Sequence, residues 1–329
     1  MSRAALSLWA ALLWGCTTPQ LPAAVDTGAA MDGALDAPPP APWSMPQRAA
    51  CEGSYGGPTD GAALGDEALV ETSGLVASPS RSGVLWMHND SGDAARLYAV
   101  DTDGRARGRL TLPGEAVDWE DLAAAPCPDG SGPCLWIGDI GDNGALRDEV
   151  AVLAVGEPQT DGDHEAGRVW RFPVVYPNGS RDAEALVVSP AGDAFWLFEK
   201  DEDGRASAFE HPGPLVDGAR TTLNKSDKFD APGLDIEQGR MITAADLHPG
   251  GRRLLLRVYT GTYEYRFGAG QGPMDLADIT PQLVAFGPLS EPQGETVAYD
   301  ETGSGIITVS EDPEQQAGQP LHHYPCDRP

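Results

Sequence analysis

Glu184-Ala185-Leu186-Val187-Val188-Ser189-Pro190-Ala191-Gly192-Asp193-Ala194-Phe195-Trp196-Leu197-Phe198-Glu199 is one polar residue, an apolar run, a Pro/Gly turn, and a second apolar run ending on a carboxylate. Runs of β-branched and aromatic residues bounded by Pro and Gly read as paired strands. The same spacing recurs along the chain: a polar residue stands six places before a turn at Ser73 (turn at Pro79), Glu120 (Pro126), Glu184 (Pro190), Thr243 (Pro249) and Glu295 (Glu301). Each turn leads into a second apolar strand, and these contain Val84–Met87, Cys134–Ile137, Ala194–Phe198, Leu254–Leu256 and Gly305–Val309. They end at Asn89, Asp139, Glu199, Tyr259 and Glu311. Third strands are expected at Arg96–Val100, Val150–Val155, Ala206–Glu210, Thr262–Phe267 and Leu321–Tyr324. Fourth strands are expected at Arg107–Leu112, Val169–Tyr176, Arg220–Asn224 and Gln282–Phe286.

A repeated four-strand unit that keeps register is the signature of a β-propeller. The expectation is an all-β ring of five four-stranded blades. Six blades are the alternative, because the second and third repeats are longer than the others; a β-sandwich would not repeat its register. The fifth unit has only three strands, while Cys51 to Glu71 precedes the first repeat. An N-terminal strand that completes the last blade would close the ring and remove its exposed edges. Of the five cysteines, the four that follow Cys16, namely Cys51, Cys127, Cys134 and Cys326, allow three disulfide pairings. Cys127–Cys134 would staple a Pro/Gly loop, and Cys51–Cys326 would lock the closure. A four-cysteine zinc site is disfavoured, since no Cys-x-x-Cys pair occurs.

The first 16 residues combine Arg3, an apolar run from Ala4 to Trp14, and Leu13-Trp14-Gly15-Cys16. This is an export signal too short to span a bilayer. Its last four residues resemble the lipobox of bacterial lipoproteins, which implies a lipid on Cys16; Thr17 resembles the next residue of those sent to the outer membrane. Residues 17–50 are Ala, Pro, Gly, Asp and Thr with little apolar periodicity and read as a flexible tether. The propeller domain is expected over 51–329, acting as a monomer on the cell envelope and touching the membrane through lipid alone. The 22 Lys+Arg against 50 Asp+Glu give a net charge of −28, which excludes nucleic acid as a partner and favours cations or uncharged ligands.

Several segments resemble an uncharacterised group of exported bacterial propellers: Trp86-Met87-His88-Asn89-Asp90-Ser91-Gly92, Val117-Asp118-Trp119-Glu120-Asp121, Gly138-Asp139-Ile140-Gly141-Asp142-Asn143, Arg181-Asp182-Ala183-Glu184-Ala185-Leu186 and Glu291-Pro292-Gln293-Gly294-Glu295. The group is loosely similar to propeller phytases and to phytase-like esterase proteins. Propeller phytases hold phosphate through calcium ions together with Lys and Arg. This chain is poor in Lys and has no basic cluster.

First strands line a propeller's channel, so the register predicts that Ser73, Glu120, Glu184, Thr243 and Glu295 converge. Three carboxylates brought together must take up protons or bind a cation, and oxygen ligands favour a hard ion such as Ca²⁺. Asp118 and Asp182 share that rim, and Asn89, Asp139, Glu199 and Glu311 add oxygen donors at the ends of the second strands. Glu199-Lys200-Asp201-Glu202-Asp203-Gly204, with Glu210 beyond, has EF-hand-like spacing, but a hairpin turn accounts for it equally. Nucleophile elbows, zinc-protease motifs, P-loops and dinucleotide fingerprints are missing. His88, the one histidine beside an acidic rim segment, is a general-base candidate, and Glu184 is the other catalytic candidate. Trp86, Trp136 and Trp196 are expected in the core between blades. The functional expectation is a cation-stabilised binding module for a protein, glycan or small molecule; the alternative is a Ca²⁺-dependent hydrolase of phosphoesters, esters or lactones.

Overall fold

The computed structural model describes residues 41–285, 291, 293–311, 314 and 318–327. The export signal, Cys16 and most of the expected tether lie outside them. No helix among the described residues is long and apolar enough to cross a membrane.

Five antiparallel sheets form a five-bladed propeller, each running from an inner strand outward. Blade one is Thr72–Ala77, Val84–Asn89, Ala94–Asp101 and Ala106–Glu115. Blade two is Trp119–Pro126, Pro133–Asp139, Val150–Gly156 and Val169–Val175. Blade three is Ala183–Val188, Phe195–Glu199, Ala208–Glu210 and Asn224–Lys225, and blade four is Ile242–Leu247, Arg253–Val258, Gly261–Arg266 and Gln282–Ala285. Blade five contains Ala298–Tyr299, Ile306–Thr308 and Pro320–Tyr324, and its outermost strand is Thr59–Ala63 from the start of the domain. Ring closure therefore occurs as the strand count requires. Both expected disulfides are present, Cys51–Cys326 and Cys127–Cys134.

The length that suggested a sixth blade is used elsewhere. His164–Glu165, within repeat two, runs parallel to the fourth strand of blade one, and Thr221–Thr222, within repeat three, runs parallel to the fourth strand of blade two. Each covers an outer edge of the preceding sheet, which would otherwise present unpaired backbone groups. The fourth strand of blade three is consequently Asn224–Lys225 rather than Arg220–Asn224.

Strand alternation sends successive side chains to opposite faces, and in a ring each face meets a different neighbour. Leu186, Val188 and Leu197 pack against blade two, whereas Ala185, Val187 and Phe198 pack against blade four. The buried apolar residues fall into five clusters, one for each contact between adjacent blades. Trp86 and Trp136 are buried there and Trp196 is partly buried, the core role expected of them. Burying one such large side chain contributes about 1.5–3 kcal/mol.

Polar stitches join the inner strands across the channel. Asp121 accepts backbone hydrogen bonds from Leu122 (2.8 Å), from Leu186 of blade three (2.9 Å) and from Ala245 of blade four (3.1 Å). Asp246 accepts from Tyr299 N–H of blade five at 2.7 Å.

Residues 41–50, read in the sequence as the end of the tether, contact the ring. Trp43 N–H donates to Gly130 O at 3.1 Å. Arg48 donates to Ser78 O (3.0 Å) and Asp300 O (3.4 Å), where the inner strands of blades one and five end. The last residues read as tether thus lie along the turn-bearing face of the ring, because Arg48 finds carbonyl acceptors there.

Candidate functional site

Each of the first four inner strands carries a bulge, and the extra residue is Ser73, Glu120, Glu184 or Thr243. In blade five the extra residue falls within 295–297, since Gly294 pairs with Ser310 and Ala298 with Ile307. A bulge re-aims a side chain, so the repeated polar position is the one at which each strand departs from regular pairing. Ser73 and Thr243 turn sideways, donating to Glu120 O (2.7 Å) and Gly294 O (2.8 Å) of the next blade. The remaining positions carry Glu120, Glu184 and Glu295, which are buried at the mouth where inner strands begin and second strands end.

The mouth divides into two chemically different halves. In one, Asp90, Asp118 and Glu120 each bring a carboxylate oxygen within 4.8 Å of the others. Glu120 is 2% exposed, and no hydrogen-bond donor reaches its carboxylate among the described residues. The backbone of Gly141 presses on this group: a Cβ there would lie 1.9 Å from Glu120 Oε1 and 2.6 Å from Asp118 Oδ2. In the other half, Lys200 Nζ donates to Glu184 at 2.8 Å and lies over the Tyr259 ring. Tyr259 OH donates to Glu295 at 2.9 Å, and Gln293 joins Glu295 to Glu311.

Asp139, Asn89 and Glu199 behave differently from the other predicted oxygen donors. Asp139 is held by Arg147 at 2.7 Å. The Asn89 side chain organises its own loop, accepting from Val70 N–H and Glu71 N–H and donating to Ala68 O. Glu199 pairs with Arg181 at 3.4 Å, and its Oε2 is buried without a partner. Asp182 accepts from Asp142 N–H at 2.9 Å. Asp90, the residue after Asn89, was not predicted, although it lies in one of the motif segments. The EF-hand-like stretch is a turn between strands: Asp201 accepts from Asp203 N–H at 2.9 Å and pairs with Lys228 at 3.1 Å. His88 is enclosed, edge-on to Trp119, and burial lowers it to about 4. A neutral ring lying over Gly74 suits a packing role better than proton transfer.

Burial and mutual repulsion hold these acids protonated far above their usual range. Burial, then Glu184, Asp90 and Asp118, push Glu120 well up. Burial raises Asp90 to about 6 and Asp246 to about 7. It raises Glu184 to about 8 against the pull of Lys200, and Glu311, with Glu295 beside it, to about 9. Folded, these groups bind protons more tightly than in the unfolded chain, where Asp and Glu titrate near 3.8 and 4.5. The stability these acids contribute should therefore fall as pH rises between those values and about 9, the reverse of an ordinary salt-bridged carboxylate, and their number outweighs the opposite slope of His88, lowered to about 4. Asp300, held to about 2 despite burial because His323 and Thr302 donate to it, acts only below that window. Urea unfolding of chelated protein is expected to give a higher midpoint near pH 5 than near pH 8.5; an equal or rising midpoint would contradict this electrostatic picture.

No family model matches the chain, and no curated protein matches it. Among solved structures it is similar to a PQQ-bound aldose sugar dehydrogenase from Streptomyces coelicolor at 12% identity, covering 81% of this chain and 98% of that one with a TM-score of 0.43. It is also similar to Raptor from Chaetomium thermophilum (10% identity, 83% of this chain and 30% of that, TM-score 0.46) and to hydrazine synthase from Kuenenia stuttgartiensis (10%, 78% and 84%, TM-score 0.41). Likeness at this level carries no functional argument.

Proposed function

We propose that the protein is an envelope-anchored propeller, lipidated at Cys16 on the outer membrane, that serves as a cation-stabilised binding module. Its ion is a hard divalent cation of the Ca²⁺ type, held by Asp90, Asp118 and Glu120, with water completing the shell. The observation that carries this reading is Glu120, a nearly fully buried carboxylate with two acidic neighbours and no donor. Such a group is costly unless it takes up a proton or a cation. The hydrolytic alternative would use metal-bound water with a rim carboxylate such as Glu184 as base, but Glu184 is engaged by Lys200 at 2.8 Å, and His88 is enclosed in the core.

Calorimetric titration of chelated protein with Ca²⁺ tests the reading. Saturable binding of one ion, with protons released into the buffer, is expected, and affinity should rise with pH. Gly141→Ala, whose methyl group would displace Glu120 and Asp118, should weaken binding at least about tenfold, as lost support around a metal commonly does. A flat titration with an unchanged melting temperature would overturn the proposal.

A further inference from the structure

Beside the three-carboxylate group, the same face holds a cavity of about 360 Å³ between the loops of blades two and three, lined by Ala145, Arg181, Asp182, Glu199, Lys200 and Asp203 among others. Its charge is not balanced from within. Lys200 is already committed to Glu184, and Arg181 reaches only one oxygen of Glu199. Glu199 is 3% exposed and its second oxygen has no donor, while Arg181 Nε, on the same lining, has no acceptor. Burying a carboxylate oxygen unpaired is costly, so this atom points to an absent cationic or hydrogen-bonding guest.

A second observation concerns apolar side chains on the same face. In an antiparallel meander whose inner strands start at the mouth, the links after second strands and between blades also lie at the mouth. The large hydrophobic residues most exposed among the described residues are Leu146 (84%), Ile236 (62%), Val117 (56%), Val216 (54%) and Leu234 (51%). All except Val216 sit in such links. Leu146 follows the cavity-lining Ala145. Leu234 and Ile236 belong to a loop bonded to the hairpin that lines the cavity, through Ala231 N–H to Gly204 O at 2.8 Å.

These side chains are displayed rather than loose. Asp142 accepts from Leu146 N–H (2.7 Å) and Arg147 N–H (2.8 Å), and Thr260 accepts from Leu234 N–H at 3.0 Å. Exposed apolar side chains on the face that also bears an acidic cavity make a candidate binding surface.

We infer that this cavity takes a single basic side chain, arginine or lysine, from a polypeptide partner whose flanking apolar residues cover Leu146, Leu234 and Ile236. The inference rests on the binding-module reading but not on the cation. The guest cation donates to Glu199 Oε2 and toward Asp182, while Lys200, bonded to Glu184 and lying over Tyr259, shows how the neighbouring mouth already holds an ammonium group. The acidic lining, with Asp182, Glu199 and Asp203, disfavours anionic ligands.

The probe is a blocked, fluorescently labelled tripeptide with arginine between two leucines, compared with its glutamine and glutamate versions by fluorescence anisotropy, with and without Ca²⁺. The arginine peptide should bind saturably and weaken with added salt, and glutamine should cost roughly tenfold or more, the worth of a charged hydrogen bond. Glu199→Gln and, independently, Leu146→Ser should each weaken the arginine peptide, and circular dichroism checks that both variants fold. Equal affinity for the arginine and glutamine peptides, or an unaltered affinity in folded Glu199→Gln protein, overturns the inference. Peptide binding that persists in chelated protein with a flat Ca²⁺ titration supports it while removing the cation reading.

Discussion

Replacing Cys51 and Cys326 by serine is expected to cost about 5 kcal/mol of folding free energy on the chain-entropy account, because the link spans a sequence separation of 275. The same change at Cys127 and Cys134, separated by 7, should cost only about 2 kcal/mol. The larger figure would be a substantial share of a typical domain's stability. Guanidinium unfolding, extrapolated to water, measures both. Removing the long link also lets the unfolded chain expand, so the slope should rise and midpoints alone would mislead. The ordering is the decisive part: equal losses would mean that blade five is held by its strand pairing and not by the covalent clasp.

Asp121→Ala should be the most damaging single substitution in the channel, at about 4 kcal/mol or more, since it orphans three buried backbone N–H groups at about 1–3 kcal/mol each. Those donors belong to blades two, three and four, so the loss falls on the arrangement of the ring rather than on one sheet. Asp121→Asn retains one acceptor oxygen and should lie between wild type and alanine. Thermal unfolding of the three proteins at one pH would show this ranking; an alanine variant within 1 kcal/mol of wild type would mean that other partners satisfy the donors.

Much of the architecture was legible because each repeat states it again. A polar residue six places before a turn marks the inner strand, and the structure shows why the position is polar: it is the bulged residue, aimed away from the two apolar faces. Ring closure was legible from a missing strand and a distant cysteine. The mouth was read less well. Asn89 was assigned to the ring because it ends its strand, but its amide is engaged with Ala68, Val70 and Glu71. Asp90 stands one residue further on, and a single position decides which way a side chain points. Loop residues carry no periodicity, so Asp90, Leu146 and Ile236 had no pattern to announce them. The unpartnered oxygen of Glu199 depends on which donors fold brings near, and no spacing rule encodes that.

The strand that seals blade five, Thr59–Ala63, precedes its partner Pro320–Tyr324 by nearly the whole domain. Delivered from its N-terminus, the chain presents this strand long before anything can pair with it. Four blades can therefore be complete while the ring is still an open arc with two bare edges. The final step is a search between the two ends of the domain, the slowest kind of contact for a chain to make. A partially built copy would offer its free edge to another copy's waiting strand, so crowding nascent chains together should yield intertwined rings before it yields amorphous aggregates.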